Sequence, residues 1–402
     1  MLRVLLYGYA TGVYSSRKIE ARTYEDVAFR YLSADAHPDH DTFAEFRKRH
    51  LEVLAGLFTQ ALLLCEKAGL VKLGHVSIDG TKIKANASKH KAMSYARMGE
   101  TEQRLKAEID ALLKQAEDVD AAEDAQYGKG RRGDELPAEL ARRESRLKKI
   151  AQAKAELEQE AREKAERERA EAEAKLSERR AEQERTGKKK RGREPQVPDP
   201  EQAQPEGRAQ RNFTDPDSRI MPDGANKGSF LQGYNAQAVV NARAQVIVAA
   251  EVTQQTTDNR QLLPMLGQVE KNMGRKPDAA SADAGYWSEA NVSDESVAGI
   301  DLHIATGRVK HEETIATASE PPPNQPTAKE AMQHKLHTEA GRSIYKMRKA
   351  IVEPVFGQIK EQRGFRRFSL RGVENVRCEW KLVCLTSNLL KLFGSGWTPQ
   401  AA

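Results

Sequence analysis

Residues 75–79 read His-Val-Ser-Ile-Asp, and the fold turns on them. Polar and apolar residues alternate, and Val76 and Ile78 are β-branched, so the spacing predicts a short strand that ends in a carboxylate at Asp79. Much later in the chain, YNAQAVVN (234–241) and QVIVAAEVT (245–253) flank a short Ala-Arg-Ala link, which predicts a β-hairpin. Helical spacing follows over 260–271, DAASAD (278–283) predicts a strand ending at a second aspartate, SEANVSDESV (288–297) a helix, and DLHIAT (301–306) another strand. The order strand, hairpin, helix, strand, helix, strand, helix implies an α/β fold built on a mixed sheet.

On the N-terminal side, TYEDVAFRYL, DTFAEFRKRHLEVLAGLF and TQALLLCEKAGL carry apolar residues at three-to-four spacing. Residues 1–74 therefore read as an N-terminal helical region, with Asp41 and Thr42 as caps of its second helix and Gly69 closing the third. Such a cluster either packs a core or binds DNA. It opens inside an apolar run, as a region truncated at its start would. Residues 75–90 hold the first strand, and 230–394 the remainder of the sheet-bearing domain, with 395–402 a tail. Between them, 91–229 is a long charged helical insertion dominated by Glu, Lys, Arg, Ala and Gln. Leu105, Ile109 and Leu112, then Leu140, Leu147, Ile150 and Leu157, mark two thin apolar stripes, consistent with a helical hairpin turning near YGKGRRGDELP. Past Leu157 the seam is mostly Ala and charge, which suits a coiled coil and a solvated single helix equally. GKKKRGREPQVPDPEQAQPEGR, with its four prolines, predicts a disordered linker over about 186–210.

Composition narrows the function classes. The net charge of +6 favours a polyanionic partner. Three scattered cysteines, Cys65, Cys378 and Cys384, provide neither a disulfide framework nor a zinc ribbon and suit a reducing, cytoplasmic setting. No signal peptide is evident, and no stretch approaches the roughly 20 apolar residues of a membrane span. Gly128, Gly130 and Gly133 satisfy G-x-G-x-x-G, but no strand precedes them, so a helix-hairpin turn explains them better than a dinucleotide site. No Walker-type phosphate loop is present, and no nucleotide cofactor is expected.

The chemistry-bearing residues are acids. Asp79 and Asp283 each close an expected strand, and Glu353 lies among Ile351, Val352, Val355, Phe356 and Ile359, at helical spacing. Mg²⁺ takes hard oxygen ligands, and a two-metal phosphoryl-transfer site needs several carboxylates at one edge of a sheet. In a chain so rich in acids, position alone favours plain surface charge. The surrounding words decide otherwise. SIDGTKIKANAS (77–88) resembles the first-aspartate region of IS1182-type DDE transposases, within the broader group related to IS4 and IS5. TDPDSRIM, KGSFLQGYNAQAVVN and TTDNRQLLPM resemble that family's central block, and SADAGYWSEAN its second-aspartate block. Tyr345, Arg348, Glu353 and Lys360 resemble its tyrosine-arginine-glutamate-lysine signature. Four residues separate Arg348 from Glu353 where the family has three; Lys349 restores that spacing, so either cation fills the arginine's place.

The resemblance implies a ribonuclease-H-like fold, with Asp79, Asp283 and Glu353 as catalytic metal ligands for Mg²⁺, or Mn²⁺ in its stead. It implies cleavage of double-stranded DNA at the terminal inverted repeats of an insertion sequence, strand transfer into target DNA, and a homodimer in the synaptic complex, in a nucleoid-associated protein. Two rival readings are a truncated, inactive relative that binds element ends as a repressor, and a nuclease that cuts without joining. Lys360 follows Glu353 by seven residues, two turns along one face, and suits a DNA phosphate, as do Arg348 and Tyr345. GFRRFSLRG (364–372) sets Arg366, Arg367 and Arg371 between Phe365 and Phe368, suiting phosphate contact with the rings packed beneath or stacked on bases. Trp287 suits stacking on a flipped base or packing, His75 packing near a sheet edge, and the basic run Lys188 to Arg193 a solvated or loosely DNA-binding segment. Pro354 lacks the amide that a helix interior uses, so a helix start or kink is expected there.

Overall fold

The computed structural model describes residues 1–127, 138–187, 192, 194–224, 226, 228–307 and 326–398, with the side chains of 115–139 outside that description. In chain order, helices α1 (Leu2–Ala10), α2 (Ser16–Glu25), α3 (Val27–Ser33), α4 (His40–Arg49) and α5 (Leu51–Lys67) precede strand β1 (His75–Lys84). Then come β2 (Ala92–Ser94), α6 (Tyr95–Tyr127), α7 (Ala138–Thr186) and β3 (Gln210–Asn212). The chain continues through β4 (Arg219–Pro222), β5 (Phe230–Asn241), β6 (Ile247–Thr253), α8 (Leu262–Met273), β7 (Ala279–Ala282), α9 (Glu289–Ser293) and β8 (Asp301–Ile304). Helices α10 (Ala328–His337), α11 (Glu339–Gly357) and α12 (Val373–Gly394) complete it. Contacts divide these elements into two compact units, Met1–Ala87 with Asp217–Ala402, and Ser88–Pro216.

The larger unit is α/β on a mixed six-stranded sheet, ordered β4-β5-β1-β7-β8 with β6 also on β5. β1 is central, antiparallel to β5 and parallel to β7, and β8 extends the parallel side. The strand expected to stop at Asp79 runs on to Lys84. The central position also corrects the reading of His75 as a sheet-edge residue: it pairs with Ala279 on β7, and its Nε2 lies 2.9 Å from Ser281 Oγ. Nearly every residue of β5 is buried, the polar Asn235, Gln237 and Asn241 among them.

The N-terminal helices belong to the larger compact unit and share its core. Val4, Leu5, Tyr9, Phe29, Phe43, Leu54, Phe58 and Leu62 bury their stripes in the same core as Val76, Ile78, Val239, Ile247, Trp380 and Val383. Core packing is thus the observed role of that amphipathic pattern. The expected helix over 41–58 is two helices that break at His50, and the cap is Asp39, whose carboxylate accepts the Thr42 amide at 2.7 Å, rather than Asp41 or Thr42.

In the smaller unit α6 and α7 pack against one another through Met98, Leu105, Ile150, Ala153 and Leu157, with Ala209 and Phe213 closing the cluster. Arg143–Glu108 (2.9 Å) and Lys154–Glu102 (3.1 Å) join the two helices beside that seam. The expected hairpin turn with Gly128, Gly130 and Gly133, and all of Lys188 to Arg193 except Gly192, lie outside the described residues. The proline-rich return was expected to be disordered, yet it forms a 3₁₀ turn at Pro200–Gln202 that packs on α7. Prolines bar a helix there, as expected, but Ala165 and Ala172 leave a shallow buried seam on α7. Arg211 fixes the returning strand by pairing with Glu156 (3.3 Å) and Glu160 (3.0 Å). This unit ends at Pro216 instead of 229, because Arg219–Pro222 joins the large sheet.

Candidate active site

The β1–β7 ladder sets the site. Its parallel pairing ends with Ile78 beside Ala282, so the next residue on each strand, Asp79 and Asp283, stand at the same level of the sheet. Asp79 accepts the amide of Gly80 at 2.8 Å, and Asp283 caps a 3₁₀ turn by accepting the amide of Gly285 at 2.8 Å. Burial, together with the negative charges of Asp283 and Asp258, pushes the Asp79 carboxyl up to about 6, against the opposing Gly80 amide and Arg348 guanidinium. An ionised carboxylate held under such conditions gains from a cation, and these hard oxygens suit a divalent one. Among the described residues, however, no three carboxylate, imidazole or thiolate groups are assembled as a metal-holding cluster.

Helix α11 supplies the cations. Arg348 lies on its buried face with Ile351, Val352 and Val355, and its Nη1 is 3.5 Å from Asp79 Oδ2. Lys349, the alternative at the family spacing, is exposed. Tyr345 is half-buried beneath the Arg348 guanidinium, 5.8 Å from the ring centroid, and burial raises its hydroxyl above the usual range. Glu353 is exposed on the same helix, and no hydrogen bond or ion pair connects it to either aspartate. Pro354 does not start α11, which runs through it. The proline leaves the carbonyl of Ala350 without its helical donor, and Gln245 Nε2 takes that place at 2.9 Å. The chain then widens into a π-helical turn, Gln358–Gln362, so the even seven-residue spacing from Glu353 to Lys360 is not kept. Lys360 is half-buried, with Nζ 3.4 Å from the Lys82 carbonyl, and burial lowers its ammonium below the usual range.

The basic loop 364–372 is pinned to the tail of β1. Phe368 N–H bonds the Lys84 carbonyl at 2.9 Å, Asn86 Nδ2 bonds that of Ser369 at 2.7 Å, and Arg371 Nε bonds that of Asn86 at 2.9 Å. Phe365 and Phe368 are fully buried, so the rings pack beneath the loop and are not free to stack on bases. Arg366, Arg367 and Arg371 stay exposed, Arg366 paired with Glu361. Trp287 is half-buried against the main core.

One acid at the site went unnoticed in the sequence. Asp258, in the loop between β6 and α8, accepts Asn235 Nδ2 at 2.6 Å and Gln237 Nε2 at 2.7 Å through Oδ1, with Lys82 Nζ at 3.7 Å. Gln237 also takes the hydroxyl of Tyr286, and its backbone carbonyl takes Trp380 Nε1 at 2.9 Å. Gly80 makes room for this cluster: a Cβ there would meet Gln237 Nε2 at 2.2 Å and Asp258 Oδ1 at 2.8 Å. Gly80→Ala is therefore expected to cost about 1–3 kcal/mol by overpacking, read as a lower urea midpoint. An unchanged midpoint would mean that the amides give way freely.

Comparison with known families agrees with this layout. Residues 308–393 match the family described as Transposase DDE domain, and residues 1–49 match Transposase domain (DUF772). The first stretch spans α10, α11, the basic loop and nearly all of α12; Asp79, Asp258 and Asp283 lie outside both. No curated protein and no solved structure matches the chain. Transposase DDE domains act on DNA and use divalent metal ions, and no described helix is long and apolar enough to cross a membrane. The chain thus carries transposase domains at its start and in its C-terminal third, consistent with the IS1182-type DDE transposases that its motifs resemble.

Proposed function

We propose that the protein is a DDE transposase that cuts its insertion sequence at the terminal inverted repeats and joins the freed 3′-hydroxyls to target DNA. The observation that carries this reading is the adjacency of Asp79 and Asp283 at the end of the β1–β7 ladder, with Arg348 of the matched DDE domain against Asp79. The sheet order supports a ribonuclease-H-like fold: a hairpin follows the first acidic strand, and the last acid, Glu353, lies on a helix after two parallel strands. Asp79, Asp283 and Glu353 are the proposed ligands of Mg²⁺, for which Mn²⁺ can substitute. Bound there, the metal would supply a Lewis acid for the scissile phosphate and lower the pKa of attacking water.

The protein's own groups have separate tasks. Arg348 balances Asp79 and is placed to meet a phosphate oxygen once a cation takes over that carboxylate. Tyr345 holds the guanidinium in line. Lys349, Lys360, Arg366, Arg367 and Arg371 are proposed to contact the DNA backbone, which fixes register without reading sequence. Because two element ends must be joined, a homodimer is the proposed working form.

The test uses the full chain with labelled element-end duplex and a target plasmid. Cleaved and joined products are expected with Mg²⁺ or Mn²⁺ and none with EDTA. Cutting without joined products would replace this reading by a nuclease, and binding without cutting by a repressor.

A further inference from the structure

We propose that Lys84 and Arg367 together bind one backbone phosphate of the element-end DNA, away from the cutting centre; this rests on the transposase reading above. Residues 366–368 of the basic loop run alongside the tail of β1. Lys84 N–H bonds the Arg366 carbonyl at 3.3 Å, and the Lys84 carbonyl takes Phe368 N–H at 2.9 Å, which sets Lys84 directly opposite Arg367. Residues paired in this way project to the same face of a sheet. In the same register Lys84 pairs with Gly233 of β5, and Gly233 with Arg219 of β4, so three basic residues and a glycine share one row.

The neighbouring cations are already engaged. Lys82, two residues back on that face, is 3.7 Å from Asp258, Arg366 pairs with Glu361, and Arg371 Nε bonds the Asn86 carbonyl at 2.9 Å. Lys84 and Arg367 are both exposed, and among the described residues neither side chain has an ion pair or hydrogen bond. Like charges directly opposite one another destabilise a strand pair. Here the pair is nevertheless fixed, by backbone bonds to β1 and by the buried rings of Phe365 and Phe368. An anion between the two side chains removes the repulsion, and phosphate oxygens suit a guanidinium and an ammonium together. Lys84 lies five residues beyond Asp79 on β1, roughly 17 Å at about 3.4 Å per residue, so its phosphate is not the scissile one.

Binding of the full chain to element-end duplex in EDTA, where nothing is cut, tests the assignment across a salt series. Lys84→Gln and Arg367→Gln are each expected to weaken binding on the order of 10-fold. In the double variant the slope of log affinity against log salt should fall by about one, the share of a single phosphate. A loss of about two assigns the residues to separate phosphates and overturns the shared site. A neutral methylphosphonate placed at each backbone position in turn locates the contact: at one position it should weaken wild type and leave the double variant untouched. Removing one of two facing like charges should leave the thermal midpoint equal or higher, so affinity lost together with a lower midpoint makes the pair structural and overturns the proposal. Unchanged affinity and slope in the double variant, while wild type prefers element ends, also overturns it and leaves the transposase reading in place. Slope loss in the double variant with no preference of wild type for element ends keeps the phosphate site and removes that reading.

Discussion

Asp79→Asn is expected to lower metal-dependent strand transfer on the order of 10³-fold or more while leaving the protein as stable as before. A metal held at the reacting phosphate contributes several kcal/mol of transition-state stabilisation, and about 1.4 kcal/mol corresponds to each factor of ten in rate. Stability should move the other way, or not at all. In the free protein the Asp79 carboxylate is disfavoured by burial and by its two acidic neighbours, and the Gly80 amide and Arg348 only partly offset this. An amide of the same size removes the repulsion, although it also loosens Arg348. The measurements are joined product per enzyme and a thermal midpoint on the same preparation. Activity lost together with a midpoint drop would make Asp79 a structural carboxylate, and retained joining would remove it from the metal site.

The two strands that bring Asp79 and Asp283 level were legible in the sequence, although β1 runs on past Asp79. HVSID alternates and DAASAD is a short run of small residues, each with an acid at its C-terminal end, and parallel pairing of the two strands brings Asp79 and Asp283 level. Asp258 was not legible. It sits in a loop with no periodic signal, and its setting is made by Asn235 and Gln237 of another strand, a relation that only tertiary structure creates. β1 reads short because Gly-Thr-Lys resembles a turn, whereas Gly80 is there to leave space for Gln237. The choice between Arg348 and Lys349 was open from spacing and follows from helical phase, since 348 falls on the buried stripe with Val352 and Val355. Pro354 misled because the sequence cannot tell that Gln245, far away in the chain, satisfies Ala350. The linker misled because composition predicts what a segment cannot build alone and says nothing of a surface such as the Ala seam of α7.

Glu379→Ala is expected to destabilise the protein by about 3–5 kcal/mol, the usual cost of removing one member of a buried charged network. Glu379 is fully buried on α12, where its carboxylate accepts the amides of Ser369 (3.0 Å) and Leu370 (3.0 Å) and the hydroxyl of Tyr9 (3.4 Å). Tyr9 in turn accepts Arg47 Nη1 at 3.2 Å, so the nearby guanidinium is the countercharge. Burial raises the Glu379 carboxyl above its ordinary range even against those donors. Truncation leaves two loop amides without their acceptor and a buried cation without its countercharge, together with a cavity. Glu379→Gln keeps the volume and one acceptor oxygen, so it should fall between wild type and alanine. Urea unfolding gives the ranking. The same substitution has a consequence at a distance, because Ser369 and Leu370 lie within the loop that carries Arg366, Arg367 and Arg371. Freed from Glu379, that loop loses one of its anchorages, β1 and the buried rings of Phe365 and Phe368 being others. Affinity for element-end DNA should therefore fall under conditions where Glu379→Gln is still folded. If affinity is unchanged although the stability loss is as expected, the arginines of this loop do not hold the DNA.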